Sequence, residues 1–157
     1  MSDDLIISNS FLYFKIAKEA FVSMEKDLEK NIRPKPNGEK GNILTFDPDK
    51  KSFKNSLVSV VFFGMYLDSI LHIMVSKKVG IEEYRKNIDR QIYEEKLKLL
   101  GVNDQALLDR IEEFRKGRNE LVHEKALLPS DSKTGQSEAK KCFKLMTDLN
   151  ILLGISL

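Results

Sequence analysis

The sequence predicts an all-α protein, a bundle of four to five helices in one domain. Three observations carry this prediction. Apolar residues recur at intervals of three and four along most of the chain, which is the spacing of one helix face. No stretch alternates apolar and polar residues strongly enough to compete as a strand. The 157 residues, 41% of them hydrophobic and 32% charged, suit a single domain with a real core, residues 1–157 forming one unit without an internal repeat or low-complexity tract.

The first helix starts at Ser8 to Ser10, which offer caps, and places Phe14, Ala17, Phe21, Met24 and Leu28 on one face. It ends near Arg33, before Pro34. Residues 33–50 form a long inter-helix loop, with Pro34, Pro36, Pro48 and the turn pair Asn37-Gly38. Loops of this length are functional or disordered, and Arg33 through Lys54 holds six basic against three acidic residues. The second helix runs from about Lys51 to Lys78. Phe53, Val60, Phe62, Phe63, Leu67, Ile70, Leu71 and Met74 wrap most of its surface, so it is expected at the centre of the bundle. Its stretch from Asn55 to Ser76 lacks Lys, Arg and Glu and is long enough to span a bilayer. Asp68 and His72 within it make a buried core helix the better reading, because a charge at bilayer depth costs several kcal/mol.

Gly80 stops that helix, and Ile81 to Leu100 is predicted as one third helix with Ile81, Tyr84, Ile88 and Ile92 facing inward. Gly101 ends it. Asn103 or Asp104 caps the fourth helix, with Leu107, Ile111, Phe114, Leu121 and Val122. A loop at Pro129 to Gln136 leads to the fifth, with Ala139, Phe143, Met146, Leu149 and Leu153.

Charge and cysteine content narrow the function classes. Twenty-six basic against 24 acidic residues leave a net charge of +2, so any nucleic acid must be bound locally rather than by a global field. A lone cysteine, Cys142, excludes an internal disulfide and fits a reducing compartment. The acidic start Met1-Ser2-Asp3-Asp4 is unlike a secretory signal, and the expected location is the cytoplasm, away from the membrane. His72, His123 and Cys142 are too scattered to form a transition-metal site by themselves, and no cofactor is expected.

The chemistry concentrates at the end of the fourth helix, Phe114 to Lys125. Positions 107, 111, 114, 118, 121 and 125 form a stripe that is apolar except at Arg118 and Lys125. A guanidinium on an inner face must meet a carboxylate, reach a water-filled cleft, or face an anion brought by a ligand or a second subunit. Asp68 on the second helix is the obvious internal partner, and an Arg118–Asp68 clamp with a purely structural role remains an open reading. Arg115, Asn119 and His123 form a separate row at intervals of four. On an ideal helix His123 lies about 140° around and about 7.5 Å along from Arg118, so the two converge only on a ligand in a cleft, particularly one completed by a second subunit.

The run Arg118-Asn119-Glu120-Leu121-Val122-His123 resembles the signature of the HEPN superfamily, an Arg and a His four to six residues apart with a polar residue after the Arg. With six Arg and two His, chance supplies such a spacing roughly 0.2 times, and roughly 0.01 times when Asn must follow the Arg. The layout, a helical bundle with the signature late, extends the resemblance over most of the chain. The resemblance implies a metal-independent endoribonuclease, a toxin or defence module, acting on RNA as a homodimer with the Arg118/His123 cleft at or near the interface. Arg118 would hold the scissile phosphate, His123 would transfer protons, and Asn119 would orient one of them, with Asp68 and Arg115 supporting or binding substrate. Such cleavage leaves 2′,3′-cyclic phosphate ends. An antitoxin protein is an expected partner. Toxins paired with a nucleotidyltransferase antitoxin carry a Tyr two residues after the His, where this chain has Lys125. The alternative is a non-catalytic HEPN-like domain that binds RNA, nucleotide or a protein partner.

Secondary candidates are weaker. His72, four residues after Asp68, reads as a hydrogen-bonded core histidine. Phe11, Tyr13 and Phe14 suit base stacking or a core. Lys50, Lys51, Lys54, Lys140, Lys141 and Lys144 suit phosphate contacts or solvated faces.

Overall fold

A computed structural model describes residues 8–44, 47–123 and 134–156. Helix α1 spans Ser10–Asn31 and α2 spans Lys51–Val79. They run antiparallel: Phe14 meets Phe63 and Tyr66 near one end, while Asp27 pairs with Lys51 at 3.7 Å at the other. α1 buries Phe14, Ala17, Ala20, Met24 and Leu28, the face that the three-and-four spacing requires. Phe21 is partly buried and stacks on Phe143 at 4.4 Å.

Between α1 and α2, the loop of residues 33–50 contains a structure absent from the sequence reading. Strands β1 (Ile32–Pro34) and β2 (Asn42–Leu44) form a two-stranded antiparallel hairpin, with Ile32 opposite Leu44 and Pro34 opposite Asn42. Three-residue strands are too short to display an alternation, and every residue of β1 is exposed. Asn37 and Gly38 adopt positive φ at the turn, as an Asn-Gly pair readily does. Asp47 then anchors the start of α2. Its carboxylate accepts from Ser52 N (2.8 Å), Ser52 Oγ (2.9 Å) and Phe53 N (3.3 Å), satisfying donors that the first helical turn leaves open.

The predicted third helix is broken. Ile81–Glu83 (α3) opens into a wide turn over Tyr84–Ile88, where the Asp89 amide bonds to the Tyr84 carbonyl five residues back. The chain restarts as α4, Tyr93–Leu99, after an extended Ile92 that is exposed rather than inward-facing. Lys96 Nζ reaches back to the Asp89 carbonyl at 2.7 Å and satisfies the broken end.

Helix α5 covers Gln105–His123, capped by Asp104 through Leu107 N. Helix α6 covers Gly135–Leu152, capped by Thr134 through Ser137 N. α6 runs parallel to α2: Gln136 bonds to Ser52, and Tyr66 OH to Asn150 Oδ1 at 2.5 Å, 14 residues further along each helix. α5 is antiparallel to α6, with Arg110 on Asp148 and Lys141 on Glu113.

The core therefore centres on α2, which buries Val60, Phe63, Tyr66, Leu67, Ile70 and Leu71 among α1, α4, α5 and α6. Each such side chain contributes about 1.5–3 kcal/mol when fully buried. The described chain is an all-α bundle apart from the small hairpin. α2 is long and apolar enough to cross a membrane, and half of its most apolar stretch is buried inside the bundle. It is not covered all round. Val58 and Asp68 remain exposed, so Asp68 lies on the open stripe of α2 rather than in the core, where its charge stays hydrated.

Candidate functional site

The stripe on α5 behaves as its phase demands. Leu107, Ile111 and Phe114 are buried, and Arg118 continues the line toward α2 with 25% of its side chain exposed. It can reach α2 because residue 64 is glycine. A Cβ there would stand 2.7 Å from both Cδ and Cζ of Arg118, so the guanidinium stem lies against the bare backbone of α2. A glycine inside a helix costs about 1 kcal/mol relative to alanine, and here it makes room for the arginine.

Arg118 is only loosely compensated. Nη1 donates to Tyr93 OH at 3.2 Å, and Asp68 Oδ2 stands 3.9 Å from Nη1, with half of the Asp68 side chain in solvent. Nε is buried and has no hydrogen-bond partner among the described residues. The expected Arg118–Asp68 clamp therefore takes a different form: Tyr93 from α4 makes the hydrogen bond, and Asp68 makes a long ion pair across an open edge. Burial, together with the Asp68 charge, pushes the Tyr93 phenol well above its ordinary value, so it stays protonated at neutral pH. Tyr93 also lies nearly parallel to Phe114 at 6.5 Å, which fixes the hydroxyl beside Arg118.

The second row on α5 is differently disposed. Arg115 donates to both carboxylate oxygens of Glu94, through Nη2 at 2.8 Å and Nε at 3.3 Å, and lies 4.0 Å from Glu112. Glu94 is buried in α4, so Arg115 ties α5 to α4 and is not free for substrate. Asn119 is exposed, one turn on. His123 closes α5, and its side chain lies outside the described residues, as does Lys125. The structure thus brings Arg118, Tyr93 and Asp68 together and leaves Arg115 and Asn119 on other faces.

Gly117, inside the same run, serves packing: a Cβ there would stand 2.6 Å from Glu138 Oε2 on α6. Glu138 is buried beside Lys141 at 3.3 Å. Cys142 is fully buried, and burial pushes its thiol well up, which removes it as a nucleophile. Lys51, Lys140 and Lys141 pair with Asp27, Glu25 and Glu113. Phe14 is core, Tyr13 packs on Phe62, and Phe11 is exposed.

His72 differs from its expected role. Among the described residues it makes no hydrogen bond. It stands edge-on to the Tyr84 ring at 4.7 Å and lines an open cavity of about 410 Å³ beside Asp68. No group of three or more His, Cys, Asp or Glu side chains among the described residues could hold a metal ion.

Sequence reasoning missed Tyr93, Gly64 and Glu94. Gly64 alone left a signal, an isolated glycine in a strongly apolar helix, which marks close approach of another element. Comparison of the chain with family models, curated proteins and solved structures found no match.

Proposed function

We propose that the chain is an endoribonuclease domain of HEPN type that cleaves RNA without a metal ion, in a cytoplasmic toxin or defence role. The observation that carries this reading is the state of Arg118. It is an arginine held on glycine between two helices which, among the described residues, has one neutral hydrogen-bond acceptor, one distant and hydrated carboxylate, and an Nε without a partner. A guanidinium cannot shed its charge, so this arrangement is suited to an arriving anion.

In the proposed reaction the RNA 2′-hydroxyl attacks its own phosphate. The 2′-oxygen to phosphorus bond forms, the bond to the 5′-oxygen breaks, and a 2′,3′-cyclic phosphate and a 5′-hydroxyl result. The 2′-hydroxyl proton goes to a base and a proton returns to the leaving oxygen, the role assigned to His123. Arg118 stabilises the charge that grows on the phosphorane oxygens. Asn119, next to Arg118 in sequence and exposed, orients the substrate or the histidine. The divergence of positions 118 and 123 on α5 supports a cleft completed by a second copy of the chain, with an antitoxin protein as a further partner.

A second reading has its own observation. The contacts of Arg118 with Tyr93 and Asp68 suit a HEPN-like domain that binds RNA, nucleotide or a protein without turnover. Incubation of the purified protein with mixed RNA in EDTA separates the two. Cleavage leaving 2′,3′-cyclic ends, absent from His123→Ala, is the expected result. Intact RNA at high protein concentration overturns the nuclease and leaves the binder.

A further inference from the structure

The open stripe of α2 forms the floor of a second feature. Asp68 and His72, one turn apart, line the cavity of about 410 Å³ together with Tyr13 of α1, Tyr84 and Asp89 of the wide turn, and Lys96 of α4. Its volume falls within the range of about 300–1,000 Å³ typical of small-molecule sites. Asp68 is shared. It faces this cavity and also stands 3.9 Å from Arg118 Nη1, so the cavity adjoins the Arg118 guanidinium.

Asp68, Asp89, Ser69, His72 and Lys96 give the lining its polar groups, and Asp68 and Lys96 are the acceptor and the donor that a base would meet. The Asp68 carboxylate is 51% exposed, stands 3.9 Å from Arg118 and beside the Tyr93 hydroxyl, and has two oxygens that can accept further hydrogen bonds. Lys96 is only 5% exposed, lies 5.4 Å from the centre of the Tyr84 ring, and gives one of its ammonium hydrogens to the Asp89 carbonyl. The remaining hydrogens are available as donors. Tyr13 and Tyr84 supply aromatic surface.

We propose that this cavity is a nucleobase pocket selective for guanine, seated beside the phosphate that Arg118 holds. This rests on the reading of Arg118 as a phosphate-binding residue. Guanine alone among the RNA bases presents two adjacent donors, N1–H and the exocyclic amine, next to an acceptor, O6. A carboxylate takes the two donors and an ammonium takes O6. Cytosine and adenine each offer one exocyclic donor beside a ring acceptor, and uracil flanks its single N–H with two carbonyls, so each sets a lone pair against an Asp68 oxygen. Such a mismatch leaves polar groups unpaired, which penalises binding more than the loss of one contact. The aromatic walls give stacking surface without choosing among bases.

The test titrates the full chain with each of the four nucleoside 3′-monophosphates by calorimetry and maps cleavage ends on mixed RNA. Guanosine monophosphate is expected to bind about tenfold or more tightly than the other three. Asp68→Asn and Lys96→Met are expected to erase that preference, while Arg118→Ala weakens all four alike. Thermal melts establish that each variant is folded, and the comparison of four nucleotides on the unaltered protein stands whether or not a variant folds. Equal binding of all four, or no binding, overturns the pocket. Cleavage without preference for guanosine at the cut also overturns the pocket and leaves the nuclease standing. Preference for guanosine monophosphate with no RNA cleavage supports the pocket and overturns the nuclease.

Discussion

Gly64 and Arg118 are coupled by shape. Restoring a Cβ at position 64 drives it into the Arg118 side chain, and overpacking of this kind costs about 1–3 kcal/mol. Gly64→Ala is therefore expected to lower the melting temperature and, under the proposed function, to weaken RNA cleavage by displacing the guanidinium. In an Arg118→Ala background the obstacle is gone, and the same substitution becomes neutral or mildly stabilising because alanine favours helix. A double-mutant cycle read by thermal denaturation checks this, and additive effects would refute the coupling. Arg115 invites the opposite expectation from that of a substrate ligand. Arg115→Ala strands the buried Glu94 carboxylate at a cost of about 1–3 kcal/mol, moderated because the Arg115 side chain is partly in solvent. The proposed RNA cleavage, measured well below the melting temperature, should be unchanged, and a loss there would return Arg115 to the proposed substrate site.

Asp47 sets the start of α2, and its contribution depends on pH. Partial burial pushes its carboxyl up, but hydrogen bonds from the Ser52 amide and hydroxyl and the Phe53 amide outweigh this and hold it below 3.8. A lowered folded-state value means that the stabilisation is present above the unfolded value and is lost as pH falls through the folded one. Asp47→Ala should cost about 0.5–2 kcal/mol at neutral pH, and its difference from the unaltered protein should shrink in melts taken below pH 3.8. A constant difference down to strongly acidic pH would show that the charge is not what caps the helix. This cap went unread for a physical reason. Asp47 sits inside a Pro-rich loop, three residues before Lys50, which adopts a left-handed conformation just before the helix. The long periodic elements α1, α2, α5 and α6 were legible because burial of one face imposes a repeat that the sequence must carry. The break near residues 89–92 was not, since Tyr84 and Ile88 keep the same spacing whether or not the helix continues. The closing bond is supplied by Lys96, whose position depends on tertiary packing.

At the scale of the molecule, what was legible about the site is the part that lies within one helix. The inward phase of Arg118 follows from the stripe through Leu107, Ile111 and Phe114, whereas Tyr93 and Gly64 meet it only once α4 and α2 are docked. The same helix geometry bears on the proposed second copy. Arg118 turns in toward α2 and α4, while position 123 is rotated by about 140° and displaced by about 7.5 Å along α5. If the proposed cleft takes Arg118 from one copy and His123 from the other, the two single variants should complement each other. In a mixed dimer of Arg118→Ala and His123→Ala, one of the two centres loses both groups and the other keeps both. Random exchange makes about half of the dimers mixed, so the mixture should recover about a quarter of the original cleavage rate. The measurement is RNA cleavage after the two inactive variants are co-refolded, compared with each refolded alone. Recovery would place the two groups in trans across a two-fold axis, and a mixture as inactive as its components would overturn the shared cleft.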